Sequence, residues 1–366
     1  MLISFYKVAK DRQNFLNYLK LNRYFVVSIV LYTLLGTLSY FQSFDLKMYQ
    51  DHAILNFYWI LILPFLYQIK KYKKGKCLLH CMMVGVIITG FMGVLYLFGV
   101  TSYLGHWAST TRYAPSSSGV IMSGDLCSLF FSISLLLFFK EKKYFYLLVC
   151  FFALIATIVS GTKTALIVLL LSILFLAYEK KLYKNIKFMA ICLLLIPFLF
   201  FGKGKQLVER FSQDLMSLTQ QNLMDDSKSL SSLTYRVYTC DVAWKIFLKN
   251  PIFGTGIGDF YIDKEDYINK GELREDFRHT HDAHNEYLET LSTLGLLGLL
   301  SLLAIYFTAM FNKPNIYVVI IVCSYLVFGL TAPVLKNKWG LVVFLFLINH
   351  FGLHYKEQAS INDEIT

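Results

Sequence analysis

The residues best suited to chemistry lie in one short stretch, residues 279–291, where three histidines and several acids precede an apolar segment. Histidine has the side-chain pKa nearest to neutrality, so it is the usual general base at physiological pH. His284 is the strongest candidate for that role because it stands directly ahead of the apolar segment. Two alternatives stay open at this point: His284 only caps the next helix, or His279, His281 and His284 bind a metal with Asp282.

Two basic residues fall where a cation is unexpected. Arg236 lies among the apolar residues of a predicted helix, and Lys163 follows Gly161 in a polar break between two apolar runs. A guanidinium in such a position pairs with an acid or binds phosphate through its fork of donors. The alternatives are solvent exposure for Arg236 and snorkelling to lipid headgroups for Lys163.

The composition places these groups in a membrane protein. The chain is 56% hydrophobic and 16% charged, whereas soluble domains carry about 25% charged residues. The net charge of +11 comes from lysines in short clusters between apolar runs. Membrane topology explains such clusters, so the charge does not indicate nucleic acid as a partner.

Continuous apolar runs predict about ten membrane-spanning helices. Only helices satisfy every backbone polar group in lipid when the runs are continuous, so the expected fold is an all-α, polytopic transmembrane bundle. The predicted spans are residues 24–41, 52–69, 77–100, 119–139, 144–160, 164–178, 187–201, 292–311, 316–333 and 339–354.

The basic residues predict the orientation of this bundle. With both termini inside, the inner segments carry nineteen Lys and Arg and the short outer loops carry five, which is the asymmetry of the positive-inside rule. The chain then divides into residues 1–201 with spans one to seven, an extracytoplasmic loop at 202–291, and residues 292–366 with spans eight to ten and a cytoplasmic tail. A loop of that length is expected to have its own structure and function.

The loop is predicted to be mostly helical. Apolar spacing predicts one helix from Ser231 to Asn250-Pro251 and a second, amphipathic helix at 204–219. The alternating glycines of residues 254–258 are not a dinucleotide-binding loop, because no strand precedes them. A tight turn is the expected structure, and a backbone nest for an anion is the alternative.

These features, in this order, resemble the O-antigen ligase and polymerase family. The resemblance covers residues 157–301 and rests on the Ser160–Ala165 turn, the arginine helix, residues 250–260, the His284–Leu288 segment and residues 295–298. It implies a fold like that of the membrane glycosyltransferases of the GT-C class. It also implies an active site on the extracytoplasmic side of the cytoplasmic membrane.

The resemblance implies a role for three residues. His284 corresponds to the family's loop histidine, the proposed catalytic base, and Arg236 to an arginine proposed to bind the substrate diphosphate. Lys163 stands where many members have arginine, so the charge is kept and the planar fork is lost. No metal and no cofactor are implied. Further candidates for substrate contact are Arg112, Asp259, His281 and Tyr287.

The expected function is that of a polymerase that joins polyprenyl-diphosphate-linked oligosaccharide repeat units into a capsular or O-antigen-type polysaccharide. The lysine-rich composition is typical of an AT-rich genome and would suit a low-GC Gram-positive organism. Such an organism has no lipopolysaccharide core to accept a finished glycan, which favours a polymerase over a ligase that transfers finished glycan to another acceptor. A flippase or transporter is a third alternative, although no internal repeat is visible. The expected partners are the lipid-linked oligosaccharide and the bilayer, with a flippase and a chain-length regulator as further candidates.

Overall fold

The computed structural model describes residues 2–43, 46–98, 120–179, 232–280 and 282–355. Every regular element in these residues is a helix, which confirms the all-α prediction. Four of the predictions lie outside the described residues: the span 187–201, the helix 204–219, Arg112 and His281.

Fourteen α-helices follow one another along the described residues. They are α1 (Leu2–Lys10), α2 (Arg12–Leu21), α3 (Arg23–Leu38), α4 (Leu46–Leu61), α5 (Leu63–Lys71), α6 (Gly75–Leu97), α7 (Val120–Glu141), α8 (Tyr144–Ser160), α9 (Lys163–Glu179), α10 (Ser232–Lys249), α11 (Phe260–Asn269), α12 (Glu286–Asn312), α13 (Ile316–Gly329) and α14 (Lys338–Gly352). Two short 3₁₀ turns lie at Ser39–Phe41 and Glu275–His279.

Four of the described helices are long and apolar enough to cross a membrane, at Arg23–Phe41, Gly75–Tyr96, Ile121–Glu141 and Glu286–Asn312. Shorter apolar helices cover Tyr144–Ser160, Lys163–Leu176, Ile316–Gly329 and Lys338–Gly352. The chain is therefore a helical membrane protein. The total of ten spans and their orientation stay predictions.

The predicted span 52–69 is not one regular helix. It is divided between α4 and α5 at Ile62, and Pro64 occupies the first turn of α5. Proline has no N–H to donate to the carbonyl four residues earlier and its ring crowds that carbonyl. Hydropathy does not predict this break, because it measures how apolar the side chains are and takes no account of the backbone N–H that proline lacks.

Helices α7, α8 and α9 run in alternating directions along the bundle, which therefore has two distinct ends. Helix α8 packs against α6 and α7, α9 packs against α7, and α3 lies along α12. Thr164, at the start of α9, donates a hydrogen bond to Asp125, near the start of α7. This contact defines the end of the bundle that also carries His284. The opposite end, where α7 and α12 finish, carries Lys140 and Lys313.

The described part of the loop folds around a small apolar core of its own. Helix α10 begins at Ser232 and ends at Lys249, which confirms the helix predicted from Ser231 to Asn250-Pro251. Val242, Phe260, Phe277 and Ala283 are among the buried members of this core. The core fixes α10, α11 and the segment that leads to α12.

Helix α12 begins at Glu286, earlier than the predicted span 292–311. The Asn285 side chain caps it by accepting hydrogen bonds from the N–H groups of Tyr287 and Leu288. The span was predicted from hydropathy, which left out the first two turns because they contain acids. Tertiary contacts accommodate those acids, and hydropathy cannot foresee such contacts.

The glycine-rich turn holds the loop against a break in α12. Gly254, Gly256 and Gly258 all have positive φ, as the predicted turn requires. The N–H groups of Thr255 and Gly256 donate to the carbonyls of Ser292 and Thr293 at 3.0 Å each. The break follows at Gly295, where φ is 66° and ψ is −164°.

Candidate active site

His284 lies in the sharp turn just ahead of α12. Its φ is +50°, a left-handed conformation that non-glycine residues adopt rarely and that often occurs at functional sites. The residue does not cap the helix, because that position belongs to Asn285. The capping interpretation of His284 is therefore wrong, and its ring is available for another role.

Asp282 holds the imidazole of His284. The Asp282 Oδ1 atom accepts the backbone N–H of His284 at 2.8 Å and lies 3.1 Å from Nδ1 of the same residue. A carboxylate beside Nδ1 favours a proton on that nitrogen and leaves Nε2 as the acceptor. The His284 side chain is 33% exposed, so a substrate can reach it.

Helix α10 packs directly on this segment. The Tyr235 ring lies 5.7 Å from the His284 ring, centroid to centroid, in a tilted arrangement. The Thr239 hydroxyl donates to the Ala283 carbonyl at 3.1 Å. Burial raises the pKa of Tyr235, and the nearby Asp282 carboxylate raises it further, so this phenol stays neutral beside the histidine.

Arg236 follows Tyr235 on the same helix and approaches the membrane bundle. It lies within electrostatic range of Asp125 on α7 and of Cys240 on its own helix. The arginine is half-buried rather than fully exposed. It therefore contributes positive charge between the loop and the start of α7.

A cavity of about 330 Å³ opens beside His284. Its polar lining includes Asp125, Asp282, Glu289 and Lys336, and its apolar lining includes Met122 and Val334. Sugars are bound by hydrogen-bonding acids and bases together with apolar surface. The cavity thus combines a candidate base with groups that can hold hydroxyls.

Lys336 and Glu289 form a half-enclosed ion pair on this cavity. The Lys336 Nζ atom lies 3.0 Å from Glu289 Oε1, and the side chains are 21% and 6% exposed. The Ala283 N–H donates to the other Glu289 oxygen at 2.8 Å. Glu289 therefore ties the residue before His284 to the segment between α13 and α14.

Asp125 is a buried acid that the sequence prediction missed. One carboxylate oxygen accepts the Thr164 hydroxyl at 2.9 Å, and the other has no hydrogen-bond partner among the described residues. Gly124 permits this proximity, since a Cβ there would lie 2.3 Å from Ser160 Oγ. A signal was available, because an acid inside an apolar span is costly and usually functional.

Lys163 begins α9 and precedes Thr164, the residue bonded to Asp125. Gly161, with φ of +62°, ends α8 in the left-handed conformation and turns the chain into α9. The structure therefore brings the backbone of Lys163 to the same end of the bundle as His284, Arg236 and Asp125. Its side chain is half-buried.

Two other predicted contact residues have evident structural roles. Asp259 is fully buried, and its Oδ1 accepts the Ser43 hydroxyl at 2.8 Å, so it joins the glycine-rich turn to the chain that follows the 3₁₀ turn Ser39–Phe41. The Tyr287 hydroxyl donates to the Leu326 carbonyl of α13 at 2.7 Å. Neither residue lines the cavity beside His284.

A buried lysine shapes the chain just before the site. The Lys264 ammonium donates to the carbonyls of Phe277, at 2.6 Å, and of Arg278, at 3.2 Å, and also to that of Thr280. Burial lowers the pKa of Lys264 to about 8. These bonds fix the 3₁₀ turn that leads to His284.

Among the described residues, no group of three His, Cys, Asp or Glu side chains is placed to bind a metal ion. His281 is not one of the described residues. The metal-free reaction that the resemblance implies therefore stays a prediction.

Comparison with known proteins agrees with the resemblance seen in the sequence. Residues 145–303 match the family model described as O-antigen ligase. The matched segment contains Lys163, Arg236 and His284, whereas Asp125 and Lys336 lie outside it. No curated protein matches the chain.

Proposed function

We propose, from the membership of residues 145–303 in the O-antigen ligase and polymerase family, that the chain is a polysaccharide polymerase. It transfers a glycan from a polyprenyl diphosphate carrier to a hydroxyl of the next carrier-linked repeat unit. One observation carries the proposal: a histidine that a carboxylate holds at Nδ1 opens onto a cavity with cations nearby.

The proposed step begins at the acceptor sugar. His284 Nε2 takes the proton of the attacking hydroxyl, and Asp282 stabilises the imidazolium that forms. The oxygen then bonds to the anomeric carbon of the donor while the bond from that carbon to the diphosphate oxygen breaks. Attack opposite the leaving group inverts the configuration at that carbon. The proton on His284 is later released to water.

The leaving diphosphate requires positive charge, because its negative charge increases as the bond breaks. Arg236 and Lys163 supply that charge in the proposal, and Arg236 can offer two parallel donors. The acids of the cavity suit sugar hydroxyls better than a diphosphate. We therefore assign the sugars to the side of Glu289, and the diphosphate to the side of Arg236 and Lys163.

The test is the replacement His284→Ala in cells, with the size and attachment of the glycan measured. Membrane abundance of the variant is checked, and His354→Ala serves as the matched control because His354 lies at the opposite end of the bundle. We expect single repeat units to accumulate on the carrier in the first variant and normal polymer in the second.

Two other outcomes contradict the proposal in different ways. Long polymer that stays on the carrier would identify the chain as a ligase, in which the same chemistry serves another acceptor. Polymer of unchanged length and attachment would show that His284 is structural and that the loop is not catalytic.

A further inference from the structure

A second cavity lies at the end of the bundle opposite His284. Its volume is about 360 Å³, and its lining includes Lys76, Lys140 and Lys313. It forms where α7, α12 and α14 finish and where α6 and α13 begin. Asp125 lines the cavity beside His284 and Glu141 lines this one, near the two ends of α7. At a helix rise of about 1.5 Å per residue, the two cavities are about 24 Å apart.

The charge around this cavity is unbalanced. Among the described residues, Glu141 is the single acid that lines it, and that carboxylate already pairs with Lys76 at 2.9 Å and with Lys143 at 3.1 Å. Lys140 and Lys313 form no ion pair with any described residue. Cations held together without an anion repel one another, so the arrangement favours a negatively charged ligand.

More positive charge stands close behind the lining residues. Lys70 lies within electrostatic range of Lys313 and of His350, and Lys76 also lies within range of His350. The Lys70 ammonium donates to the carbonyls of Asn349 and His350 at 2.7 and 3.1 Å. These bonds hold Lys70 at the end of α14, where it adds to the positive field.

The rest of the lining is apolar and aromatic. Leu79, Leu137 and Phe351 form part of the wall, and the Lys140 ammonium lies 5.9 Å from the centre of the Tyr317 ring. Apolar walls lower the local dielectric constant and strengthen the attraction of the lysines for an anion. A ligand with both a charged and an apolar part fits this lining.

A surface groove continues from the same cavity along α6. It shares Lys76 and runs past Cys77 and Cys81 to Val84, with a volume of about 590 Å³. Lys76 and Val84 are about 12 Å apart along the helix axis. The groove therefore offers apolar helix surface next to the lysines, as an acyl chain beside a bound phosphate would require.

We propose that this cavity binds the phosphate group of an anionic phospholipid, with an acyl chain along α6. The lysines would attract any phosphate anion, whether free or part of a lipid. The apolar groove along α6 favours a lipid over free phosphate. Basic pockets between membrane helices are a known form of lipid headgroup site. The site is independent of the reaction at His284.

The test measures binding of phosphatidylglycerol with a fluorescent acyl chain to the full-length protein in a neutral detergent. The pair Lys140→Gln and Lys313→Gln removes the two lysines without an ion pair. The control pair Lys73→Gln and Lys74→Gln removes equal charge from the same end of the bundle, outside the cavity. We expect affinity to fall by at least about tenfold in the first pair and to change little in the second.

The pair Lys140→Arg and Lys313→Arg should retain the affinity, which separates loss of charge from loss of fold. Phosphatidylcholine with the same acyl chains should bind at least about tenfold more weakly than phosphatidylglycerol. Equal binding of both lipids, or an equal loss in both glutamine pairs, would mean that the lysines only anchor helix ends. Lysine-dependent binding of inorganic phosphate, without a preference for the anionic lipid, would assign the site to free phosphate and overturn the lipid proposal.

Discussion

At the scale of single residues, the contact between the Asp282 carboxylate and the His284 imidazole determines which ring nitrogen can act as the base. Because Asp282 occupies Nδ1 of His284, only Nε2 is left to face a substrate. The left-handed backbone of His284 costs free energy, and the Asn285 cap and the Glu289 bond to Ala283 hold the turn in place. The neighbouring residues therefore preorganise the histidine before substrate arrives.

Replacing Asp282 with Asn should slow glycan transfer by about 100-fold or more, because the imidazolium formed in the reaction loses its negative partner. We expect kcat to fall more than KM changes, since the Asp282 carboxylate is already engaged by Nδ1 and by the backbone N–H of His284. The measurement is the transfer rate of the purified protein in liposomes that contain a carrier-linked donor.

Asp266→Asn is the matched control, since Asp266 is exposed on α11 and its replacement removes the same charge. Equal rates in the two variants would mean that Asp282 does not assist the histidine.

At the scale of elements, the break in α12 is what joins the loop to the bundle. A Cβ at Gly295 would lie 2.3 Å from the Ile252 carbonyl oxygen, and one at Gly254 would lie 2.3 Å from the Thr293 carbonyl carbon. The two chain segments are thus in backbone contact, with no room for a side chain. The turn at residues 250–258 consequently sets the position of α10 and of His284 over the membrane helices.

Gly295→Ala should destabilise the protein by more than Gly271→Ala. Both glycines have positive φ, at +66° and +72°, which costs an alanine about 1–3 kcal/mol. Gly295 also has a ψ of −164°, a combination that essentially only glycine adopts. Nothing lies within 4 Å of a Cβ at Gly271. The Gly295 variant alone therefore adds an overpacking cost of about 1–3 kcal/mol.

The thermal unfolding midpoint of the detergent-solubilised variants measures this difference. Equal midpoints would show that the contact between the turn and α12 adjusts freely and does not position the loop.

At the scale of the whole molecule, the two ends of the bundle differ in chemistry. The His284 end carries acids and cations around a cavity that a substrate can enter, and the Lys140 end carries lysines with little compensating acid. The positive-inside rule predicts that the lysine-rich end lies in the cytoplasm. In that predicted orientation the candidate active site faces outward, as the proposed function requires.

Single cysteines test this orientation, in a chain whose seven native cysteines have been replaced. We expect a membrane-impermeant maleimide to label Lys338→Cys in intact cells and to label Lys142→Cys only after the cells are permeabilised. The two positions lie at opposite ends of the bundle, so each serves as the control for the other. The reverse pattern would place His284 in the cytoplasm and contradict the predicted topology.

The sequence alone determined the helical membrane class, the limits of α10 and the glycine-rich turn, and its motifs proposed His284 as the candidate base. Each of these depends on local information: apolar spacing, a proline that ends a helix, glycines that permit positive φ, or a residue type with a suitable pKa. Local information is contained in a few neighbouring residues, so it can be read without the fold.

The tertiary structure alone decided which distant groups meet at that histidine. Asp125, Glu289 and Lys336 come from three separate segments, and they converge because α7, α12 and the chain before α14 reach the same end of the bundle. The break at Gly295 could not be predicted from the sequence either, since it accommodates the backbone of Ile252 and Phe253, which approaches too closely for a side chain. Contacts between remote residues depend on how helices pack, and that packing is a property of the whole chain rather than of any short stretch of it.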